Sequence, residues 1–376
     1  MISATELQKL EAQQPSQGVE LSVIVPTFNE RDNVAELVRR LRCCLAAVHW
    51  EVIFVDDSSP DGTAKLVRDI GRQDSRVRCI QRIARRGLSS ATIEGMLASS
   101  APYIAVMDGD LQHDESLLPL MLTTLETEQT DVVIGSRYAI GGGVSAWDQT
   151  RVVISQLATL LSRTVLKADI SDPMSGFFLI RREAIEASVP NLSGIGFKIL
   201  VDLFASSPRP LKFSEVPYEF RTRVAGESKL DSQVAWNYLM LLLDKRFGHI
   251  VPARLAAFCL VGGIGVVIHF TVLAVLLKQL GLSFVFSQSI ATLTAMTSNF
   301  VFNNIFTYRD IRLKAWQWIS GWGSFTLVCG VGALANVGMA SYLNDSATNW
   351  GLAAFAGILV GSVWNYTVTK NYTWKS

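Results

Sequence analysis

The sequence predicts an α/β domain with a mostly parallel sheet, followed by an all-α membrane domain of four helices. Short apolar, β-branched runs alternate with amphipathic helical patterns in the first half of the 376-residue chain. This alternation is typical of a parallel sheet covered on both faces. Charge then falls steeply: Met1–Pro252 contains 27 Lys+Arg and 31 Asp+Glu, whereas Ala253–Ser376 contains 7 and 2. A soluble domain rarely has so few charges, whereas a membrane domain requires a low charge.

Five strands and four connecting helices are predicted in the α/β part. The strands are Leu21–Pro26, Glu51–Asp56, Arg76–Ile80, Tyr103–Met107 and Asp131–Gly135. The helices, which have apolar residues at helical spacing, are Asn33–Val48, Gly62–Ile70, Ser89–Ser99 and Ser116–Glu128. Two further helical patterns, Arg151–Leu166 and Ser228–Gly248, fit either a helix on a membrane surface or a helix packed in the core.

The apolar part predicts four membrane spans, at about Ala253–Leu277, Phe284–Phe306, Trp318–Leu343 and Trp350–Val368. Each is close to the roughly 20 residues that cross a bilayer as a helix. Lys and Arg cluster before the first span, between the second and third, and after the fourth, whereas the other two connections hold only Lys278 and Asp345. The positive-inside rule then places both termini and the α/β domain in the cytosol. A buried helical bundle or a three-span arrangement is the alternative.

These patterns give a domain plan for the whole chain. A polar segment at 1–20 precedes an α/β domain at 21–230, a juxtamembrane amphipathic helix or linker at 231–252, and the membrane domain at 253–376. The first segment is polar and has no apolar h-region, so a secretory signal is not expected there. A net charge of +1 gives no indication of nucleic-acid binding, and the scattered five cysteines and four histidines do not suggest zinc.

Acidic residues follow three of the predicted strands. The fourth strand runs into Asp108-Gly-Asp-Leu-Gln112, where two carboxylates and an amide could hold Mg²⁺ or Mn²⁺ against a diphosphate. The first strand runs into Glu30 and the second into Asp56-Asp57, which could accept hydrogen bonds from a base or ribose. In a doubly wound sheet these three ends meet at one crevice. An Asp-Gly turn at Asp108–Gln112 and a helix cap at Asp57–Asp61 are the structural alternatives.

Cations follow later in the chain and balance these acids. They are Arg137, Arg151, Arg221, Arg223 and Lys229. Arginine's planar fork and lysine's point charge suit phosphate oxygens, although a solvated basic loop is an equally simple explanation. Beside a membrane domain, such cations suggest a phosphate carried on a lipid. A phosphate acceptor is already anionic and can attack without strong base catalysis, which is consistent with the lack of a Ser/His/Asp set or a Walker A loop.

Six motifs in order give the chain a family resemblance. They are Pro26-Thr-Phe-Asn-Glu30, Asp56-Asp-Ser58, Asp108-Gly-Asp-Leu-Gln112, Gly135-Ser-Arg-Tyr138, Asp172-Pro-Met-Ser-Gly-Phe177, and Arg223 with Gly226-Glu-Ser-Lys229. Over about Leu21–Gly248 the chain resembles the polyprenyl-phosphate glycosyltransferases of glycosyltransferase family 2, in particular their dolichol-phosphate mannose synthase-like branch, which has the GT-A fold. The four-span part resembles small flippase-like membrane proteins.

The resemblance implies roles for residues that match these motifs. Nucleotide-sugar binding is implied for Pro26, Phe28, Glu30, Val55, Asp57, Asp108 and Gln112; metal binding for Asp108, Asp110 and Gln112; lipid-phosphate binding for Arg137, Arg151 and Ser155; and participation in transfer for Asp110, Arg223 and Lys229. The segment Gly141–Trp147 looks similar to the mannose synthase version and favours GDP-mannose as donor.

The expected activity is metal-dependent, inverting transfer of a hexose, most simply mannose from GDP-mannose, to a polyprenyl or dolichyl phosphate. The same reaction with UDP-glucose or another UDP-sugar is one alternative. A flippase or membrane scaffold without catalytic activity is another, although the intact Asp108/Asp110 pair argues against it. A processive synthase is disfavoured because a Gln-x-x-Arg-Trp motif is missing. The membrane part is expected to serve as an anchor and in a possible homo-oligomer rather than in transport.

Overall fold

The computed structural model describes residues 18–83, 85–144, 158–166, 168–221, 232–248, 252–308, 311–345 and 350–374. Contacts within the chain divide it into two compact units, Met1–Arg246 and Phe247–Ser376. The first unit contains the sheet, and the second contains long helices.

The described part of the first unit is built on nine strands, most of which are short runs rich in apolar residues. They are β1 (Leu21–Thr27), β2 (Trp50–Asp56), β3 (Val77–Gln81), β4 (Tyr103–Val106), β5 (Val132–Ser136), β6 (Gly143–Val144), β7 (Phe178–Arg181), β8 (Phe213–Pro217) and β9 (Glu219–Phe220). The first five confirm the predicted strands to within one residue at each end. The last four were not predicted.

Helices connect the strands. They are α1 (Arg31–Cys44), α2 (Thr63–Gly71), α3 (Leu88–Ala98), α4 (Leu118–Thr127), α5 (Arg182–Ser188), α6 (Ile199–Ser206) and α7 (Ser232–Phe247), with short 3-10 turns at Glu115–Leu117 and Val189–Asn191. Residues 158–162 are also helical, whereas most of the predicted helix Arg151–Leu166 lies outside the described residues.

Seven strands form the main sheet in the order β3-β2-β1-β4-β7-β5-β8. β7 pairs antiparallel with both β4 and β5, and the other pairs are parallel. The sheet is therefore mostly parallel, as predicted, but an antiparallel strand is inserted in its middle. β6 and β9 form a separate two-stranded parallel sheet.

Apolar side chains cover both faces of the main sheet, as the alternation of strands and helices predicts. On one face α1, α2 and α4 contribute residues such as Leu37, Val67 and Leu122 to one buried cluster. On the other face α3, α5, α6 and α7 contribute to a second cluster. Tyr238 and Leu241 of α7 are buried in that cluster, so this helix packs in the core rather than only on a membrane surface.

An ion pair ties α7 to α6. Lys245 Nζ lies 2.7 Å from Asp202 Oδ1, and both side chains are almost fully buried. Asp202 also accepts hydrogen bonds from the backbone N–H groups of Ser193 and Gly194, at 3.0 Å from Oδ2 in each case. Because a buried carboxylate needs this many donors, the contacts fix α7 and the loop before α6 together.

In its described residues, the second unit contains four long helices: α8 (Ala253–Lys278), α9 (Phe284–Phe302), α10 (Trp316–Asp345) and α11 (Trp350–Tyr372). A π-helical turn, Asn303–Thr307, extends α9. Large apolar side chains such as Val267, Phe270 and Leu327 point outward and are more than 60% exposed. By length and hydropathy, Arg254–Lys278 is the one helix among the described residues that qualifies as a candidate span. This leaves the predicted four-span arrangement unconfirmed.

Candidate active site

The carboxyl ends of β1, β2 and β4 lie side by side at one edge of the main sheet. β1 pairs in parallel with both neighbours, so that Thr27 is opposite Asp56 and Ile24 is opposite Val106. The Asp57 backbone N–H donates to the Thr27 carbonyl at 3.0 Å just beyond the strands. The structure thus brings together the three strand ends that precede the acidic motifs.

The Asp57 carboxylate is buried at this edge. Its Oδ2 accepts a hydrogen bond from the Gly87 N–H at 2.7 Å, and Arg82 Nη1 lies 3.0 Å from Oδ1. The angles of the contact between Arg82 Nη1 and Asp57 Oδ1 are not those of a hydrogen bond, and Oδ1 has no hydrogen-bond partner among the described residues. Burial raises the pKa of Asp57, and the Gly87 N–H and the Arg82 charge oppose this rise. A buried oxygen with remaining acceptor capacity suits an N–H group of a nucleobase.

Helix capping, the alternative considered for Asp57–Asp61, is approached only by Asp61, which precedes the N-cap residue Gly62 of α2. Its Oδ1 accepts hydrogen bonds from the Thr63 backbone N–H at 3.0 Å and from Thr63 Oγ1 at 2.6 Å, at the start of α2. Asp57 is instead directed towards Gly87 and Arg82. The two acids therefore have different roles.

The other residues implied in nucleotide binding border the same edge. Pro26 and Val55 are paired across β1 and β2 and are buried. Phe28 follows β1, and Glu30 immediately precedes α1. The Arg86 guanidinium lies 4.4 Å from the centre of the Phe28 ring, a cation–π contact that was not predicted.

Asp108 and Asp110 follow β4 in a tight loop. Leu111 has a φ of 63°, a left-handed conformation that turns the chain sharply between Asp110 and Gln112. The Asp108 side chain is 37% exposed, whereas Asp110 is buried. The Gln112 backbone N–H donates to Asp110 Oδ1 at 3.2 Å. One carboxylate is therefore directed towards solvent while the other is fixed from behind.

Arg221 contacts the residues that follow Asp110 in this loop. Gln112 Nε2 donates to the Arg221 carbonyl at 2.9 Å, and the Arg221 N–H donates back to the Gln112 carbonyl at 3.1 Å. The Arg221 guanidinium pairs with Asp114 at 2.8 Å and Glu115 at 3.0 Å. These contacts give Arg221, one of the cations considered for phosphate binding, a role in positioning Gln112.

The oxygen donors of Asp108, Asp110 and Gln112 are the kind that Mg²⁺ and Mn²⁺ prefer. Among the described residues, no group of three His, Cys, Asp or Glu side chains forms a ready-made metal site. A cation bound between two carboxylates would therefore also need ligands from elsewhere, such as diphosphate oxygens. The donor set fits a metal that binds together with an anionic substrate.

His113 supports Asp108 from within the protein. The Asp108 backbone N–H donates to His113 Nδ1 at 3.0 Å, and the imidazole stacks on Phe177 with ring centres 5.2 Å apart. Tyr218 and Phe220 pack edge-on against the same ring. Burial lowers the pKa of His113 to about 4, so the ring is neutral at pH 7 and can accept this hydrogen bond at Nδ1.

The segment Asp172–Phe177 contacts the predicted phosphate-binding arginine. Asp172 accepts hydrogen bonds from Arg137 Nε at 2.7 Å and Nη2 at 2.8 Å, and from the Arg137 backbone N–H at 3.1 Å. Both side chains are buried. Burial alone would lower the pKa of Arg137, but the hydrogen bonds and charge of Asp172 raise it. The guanidinium is thus charged and held in one orientation.

The far end of this segment reaches Asp108. A Cβ added to Gly176 would lie 3.3 Å from Asp108 Oδ2 and 3.5 Å from His113 Cε1. The Ser175 hydroxyl donates to the Gly135 carbonyl at 2.7 Å, which ties the segment to β5. The same short stretch of chain therefore orients Arg137 and lies against Asp108.

Lys198 is a cation near the site that sequence analysis missed. It immediately precedes α6, and its Nζ donates to the Met174 carbonyl at 3.2 Å. Burial and the charge of Arg137 lower the pKa of Lys198 to about 8, although Asp108 and Asp172 act in the opposite direction. The signal for it in the sequence was weak: a lone lysine after a glycine-containing loop. His113 was missed for a similar reason, because only the fold brings it against Phe177.

Four of the implied site residues lie outside the described residues: Arg151, Ser155, Arg223 and Lys229. The described part of the site therefore comprises the ends of β1 and β2, where the residues implied in nucleotide binding lie, the Asp108 and Asp110 carboxylates with Gln112, and the Arg137–Asp172 pair.

Comparison with known families divides the chain in a similar way. Residues 22–188 match Glycosyl transferase family 2, and residues 257–374 match the GtrA/DPMS transmembrane domain. The first match contains the acidic strand ends and the Asp172–Phe177 segment. The second contains most of the four long helices, which indicates a membrane protein.

Three curated proteins similar to this chain are all dolichol-phosphate mannosyltransferases. The Pyrococcus furiosus protein is 34% identical over 360 residues, which cover 95% of this chain and 99% of the relative. The Saccharomyces cerevisiae protein is 38% identical over 236 residues, covering 60% and 87%, respectively. The Mycosarcoma maydis protein is 37% identical over 238 residues, covering 60% and 80%. A solved structure, glucosyl-3-phosphoglycerate synthase from Mycobacterium tuberculosis, covers 65% of this chain and 83% of its own at 18% identity and a TM-score of 0.44.

Proposed function

Because the chain belongs to the dolichol-phosphate mannosyltransferases of glycosyltransferase family 2, we propose that it transfers mannose from GDP-mannose to a polyprenyl phosphate. The anomeric carbon is inverted in a single displacement. The observation that carries this proposal is the adjacency of two sets of groups: the acids of the β4 end, and the buried Arg137–Asp172 pair, which Gly176 connects to Asp108. One set suits a donor diphosphate and the other an acceptor phosphate.

The donor nucleotide binds at the ends of β1 and β2 in this proposal. Asp57 Oδ1, buried and without a hydrogen-bond partner among the described residues, accepts an N–H of the base. Phe28 and Glu30, with Pro26 and Val55 behind them, line the same edge. The arrangement directs the diphosphate towards Asp108.

Asp108, Asp110 and Gln112 hold a divalent cation, Mg²⁺ or Mn²⁺, together with the diphosphate. When bound, the cation offsets the negative charge that develops on the departing diphosphate. Asp110 is anchored by the Gln112 N–H, and Asp108 is held by the hydrogen bond from its own N–H to His113. The protein thus fixes the Asp110 carboxylate and the backbone of Asp108 before the donor binds.

The acceptor phosphate binds to Arg137, together with Arg151 and Ser155. One phosphate oxygen attacks the anomeric carbon as the bond from that carbon to the diphosphate oxygen breaks, and the nucleoside diphosphate leaves. Arg223 and Lys229 contact the phosphates during transfer. No strong base is needed because the attacking oxygen is already anionic.

The second unit anchors the enzyme in the membrane through four spans, with both termini and the first unit in the cytosol. Helices α8, α9, α10 and α11 have 26, 19, 30 and 23 residues, enough at about 1.5 Å per residue to cross most or all of a bilayer core of about 30 Å. This topology is testable with single cysteines in a cysteine-free background. Gln279→Cys is expected to react with an impermeant maleimide in intact cells, and Arg312→Cys only after permeabilisation; the reverse pattern would refute it.

An assay of the purified protein with GDP- and UDP-sugars, a polyprenyl phosphate, and Mg²⁺ or Mn²⁺ tests the activity. We expect a lipid-linked mannose from GDP-mannose, and loss of transfer in the Asp110→Asn variant. Asp169→Asn, which changes a carboxylate that is 89% exposed, is the matched control and is expected to retain activity. If none of the donors gives a product, the proposed activity is refuted. If only a UDP-sugar gives a product, the choice of GDP-mannose as donor is refuted.

A further inference from the structure

The second unit contains the same sequence pattern twice. Phe258-Cys-Leu-Val-Gly-Gly-Ile-Gly265 in α8 matches Phe325-Thr-Leu-Val-Cys-Gly-Val-Gly332 in α10 at five of eight positions. Near the ends of the following helices, the pattern Asn-aromatic, then Thr-aromatic-basic, occurs at Asn299–Arg309 and again at Asn365–Lys375 with the same spacing. We call α8 with α9 and its π-helical turn the first hairpin, and α10 with α11 the second hairpin.

Matching residues make matching contacts within each hairpin. A Cβ added to Gly265 would lie 2.2 Å from Asn299 Oδ1, and one added to Gly332 would lie 2.0 Å from Asn365 Oδ1. Both amide oxygens are buried and have no hydrogen-bond partner among the described residues. Each asparagine therefore packs directly on the backbone of its glycine, as small residues allow in membrane helices.

A second pair of glycines distinguishes this match from a general enrichment in small residues. Gly263 and Gly330 occupy matching positions in the repeated sequence, and a Cβ added to either would meet nothing within 4 Å. The repeat thus reproduces both the close contact and the open position. Small residues that are merely frequent in both hairpins would not need to match in this way at both the close and the open glycine positions.

One pair of ring contacts between the hairpins is also exchanged symmetrically. The ring of Phe258 in the first hairpin packs on Tyr366 in the second with centres 5.8 Å apart. The matching residue of the second hairpin, Phe325, packs on Phe300 of the first, which matches Tyr366, at 5.7 Å. Such reciprocal contacts are those of an isologous interface around a two-fold axis.

Tyr308 and Trp374 lie where such an axis must pass. They are matching residues, and their rings stack on each other with centres 4.2 Å apart and planes 9° apart. Both are completely buried. A residue that contacts its own counterpart lies next to the two-fold axis. The stacked rings of Tyr308 and Trp374 therefore mark the position of the axis at the carboxyl ends of α9 and α11.

One departure from symmetry has an explanation in the sequence. Thr373 forms a hydrogen bond with Ser324, 3.0 Å between hydroxyl oxygens, whereas its counterpart Thr307 has a buried hydroxyl with no hydrogen-bond partner among the described residues. Ser324 precedes Phe325, and the residue that precedes Phe258 is Ala257, which has no hydroxyl group. The contact is missing where the repeat has no second hydroxyl group to form it.

We propose that the second unit is a tandem duplication of one helix hairpin, and that the face joining the two copies is a self-recognition surface whose partner is the other hairpin. This inference does not depend on the proposed transferase activity. It makes the unit a fused pseudo-dimer whose axis is filled with aromatic rings at one end.

The matching glycine–asparagine contacts provide the first test, in the full-length protein in detergent. Thermal unfolding can be followed by tryptophan fluorescence, since six of the nine tryptophans are in the second unit. We expect Gly265→Ala and Gly332→Ala each to lower the melting temperature by about 4 °C or more. Asn299→Ala should rescue the first variant and Asn365→Ala the second, but not the reverse. Gly263→Ala and Gly330→Ala are the matched controls and should leave the melting temperature unchanged.

If a single glycine variant is not recovered folded, recovery of the corresponding double variant is the expected rescue. Rescue in one hairpin but not in the other would overturn the proposal. So would control variants that are as damaging as Gly265→Ala and Gly332→Ala.

The interface between hairpins provides the second test. The double variants Phe258→Ala/Tyr366→Ala and Phe325→Ala/Phe300→Ala are each compared with their single variants. We expect both pairs to be non-additive in the same direction, because each pair of rings forms one contact. Coupling in one pair and additivity in the other would show that the interface is not a symmetric one.

Discussion

Replacing Gly176 by alanine would place a methyl group against the Asp108 carboxylate. The added Cβ would lie 3.3 Å from Asp108 Oδ2, slightly inside ordinary van der Waals contact, so the carboxylate must move by a few tenths of an ångström. Metal–ligand distances tolerate only about 0.2 Å. Loss of support around a metal ligand typically weakens metal binding by about 10- to 100-fold, and this small displacement predicts the lower end, about 10-fold or 1.4 kcal/mol.

The assay is the initial rate of transfer as a function of Mg²⁺ or Mn²⁺ concentration. We expect Gly176→Ala to need about 10-fold more metal for half-maximal rate, with a smaller change in the rate at saturating metal. Gly18→Ala is the matched control, since a Cβ there meets nothing within 4 Å and Gly18 precedes β1, away from the site motifs. An unchanged metal requirement in Gly176→Ala, or an equal change in the control, would refute the assignment of Asp108 as a metal ligand supported by Gly176.

Three further changes address the groups around this contact. Asp172→Asn removes the charge that pairs with buried Arg137 and should lower the free energy of unfolding by about 3 kcal/mol, measured by thermal unfolding, with partial recovery in Asp172→Glu. His113→Phe keeps a stacking ring but removes the acceptor of the Asp108 N–H, which should lower the free energy of unfolding by about 1–3 kcal/mol, measured by thermal unfolding. The pKa of Lys198, lowered to about 8, means that between pH 8 and about 10.5 the unfolded chain holds a proton that the folded protein has released. The contribution of Lys198 to the free energy of unfolding therefore rises with pH across that window. The difference in melting temperature, Lys198→Met minus the parent protein, should become more negative as pH increases from 8 to 10. A difference that stays constant with pH would contradict the lowered pKa of Lys198.

Local patterns were sufficient to predict the first five strands. Each is a short run that contains β-branched residues, and four of the five end at or just before glycine, proline or an acid. These signals do not depend on the rest of the fold. β7 was missed because Phe178–Arg181 has four residues and leads directly into α5 without a turn. Its position between β4 and β5 depends on pairing with residues distant in sequence, which periodicity cannot reveal.

The candidate site shows the same division. Asp57, Asp108 and Asp110 could be predicted because they directly follow strands whose ends must meet. His113 and Lys198 could not, because their environments are created by Phe177 and Met174 of a segment that is remote from both in sequence. Sequence reasoning identified that segment as a motif but not its contacts.

The Asp172–Phe177 segment has a consequence for how such an enzyme can change. Because it touches both the arginine assigned to the acceptor and the acid assigned to the donor metal, a substitution that retunes one specificity will disturb the other. Variants selected separately for a new sugar nucleotide and for a new lipid should therefore combine with strong epistasis. To alter both specificities, it is better to vary the donor-binding residues, the acceptor-binding residues and the Asp172–Phe177 segment together in a single library.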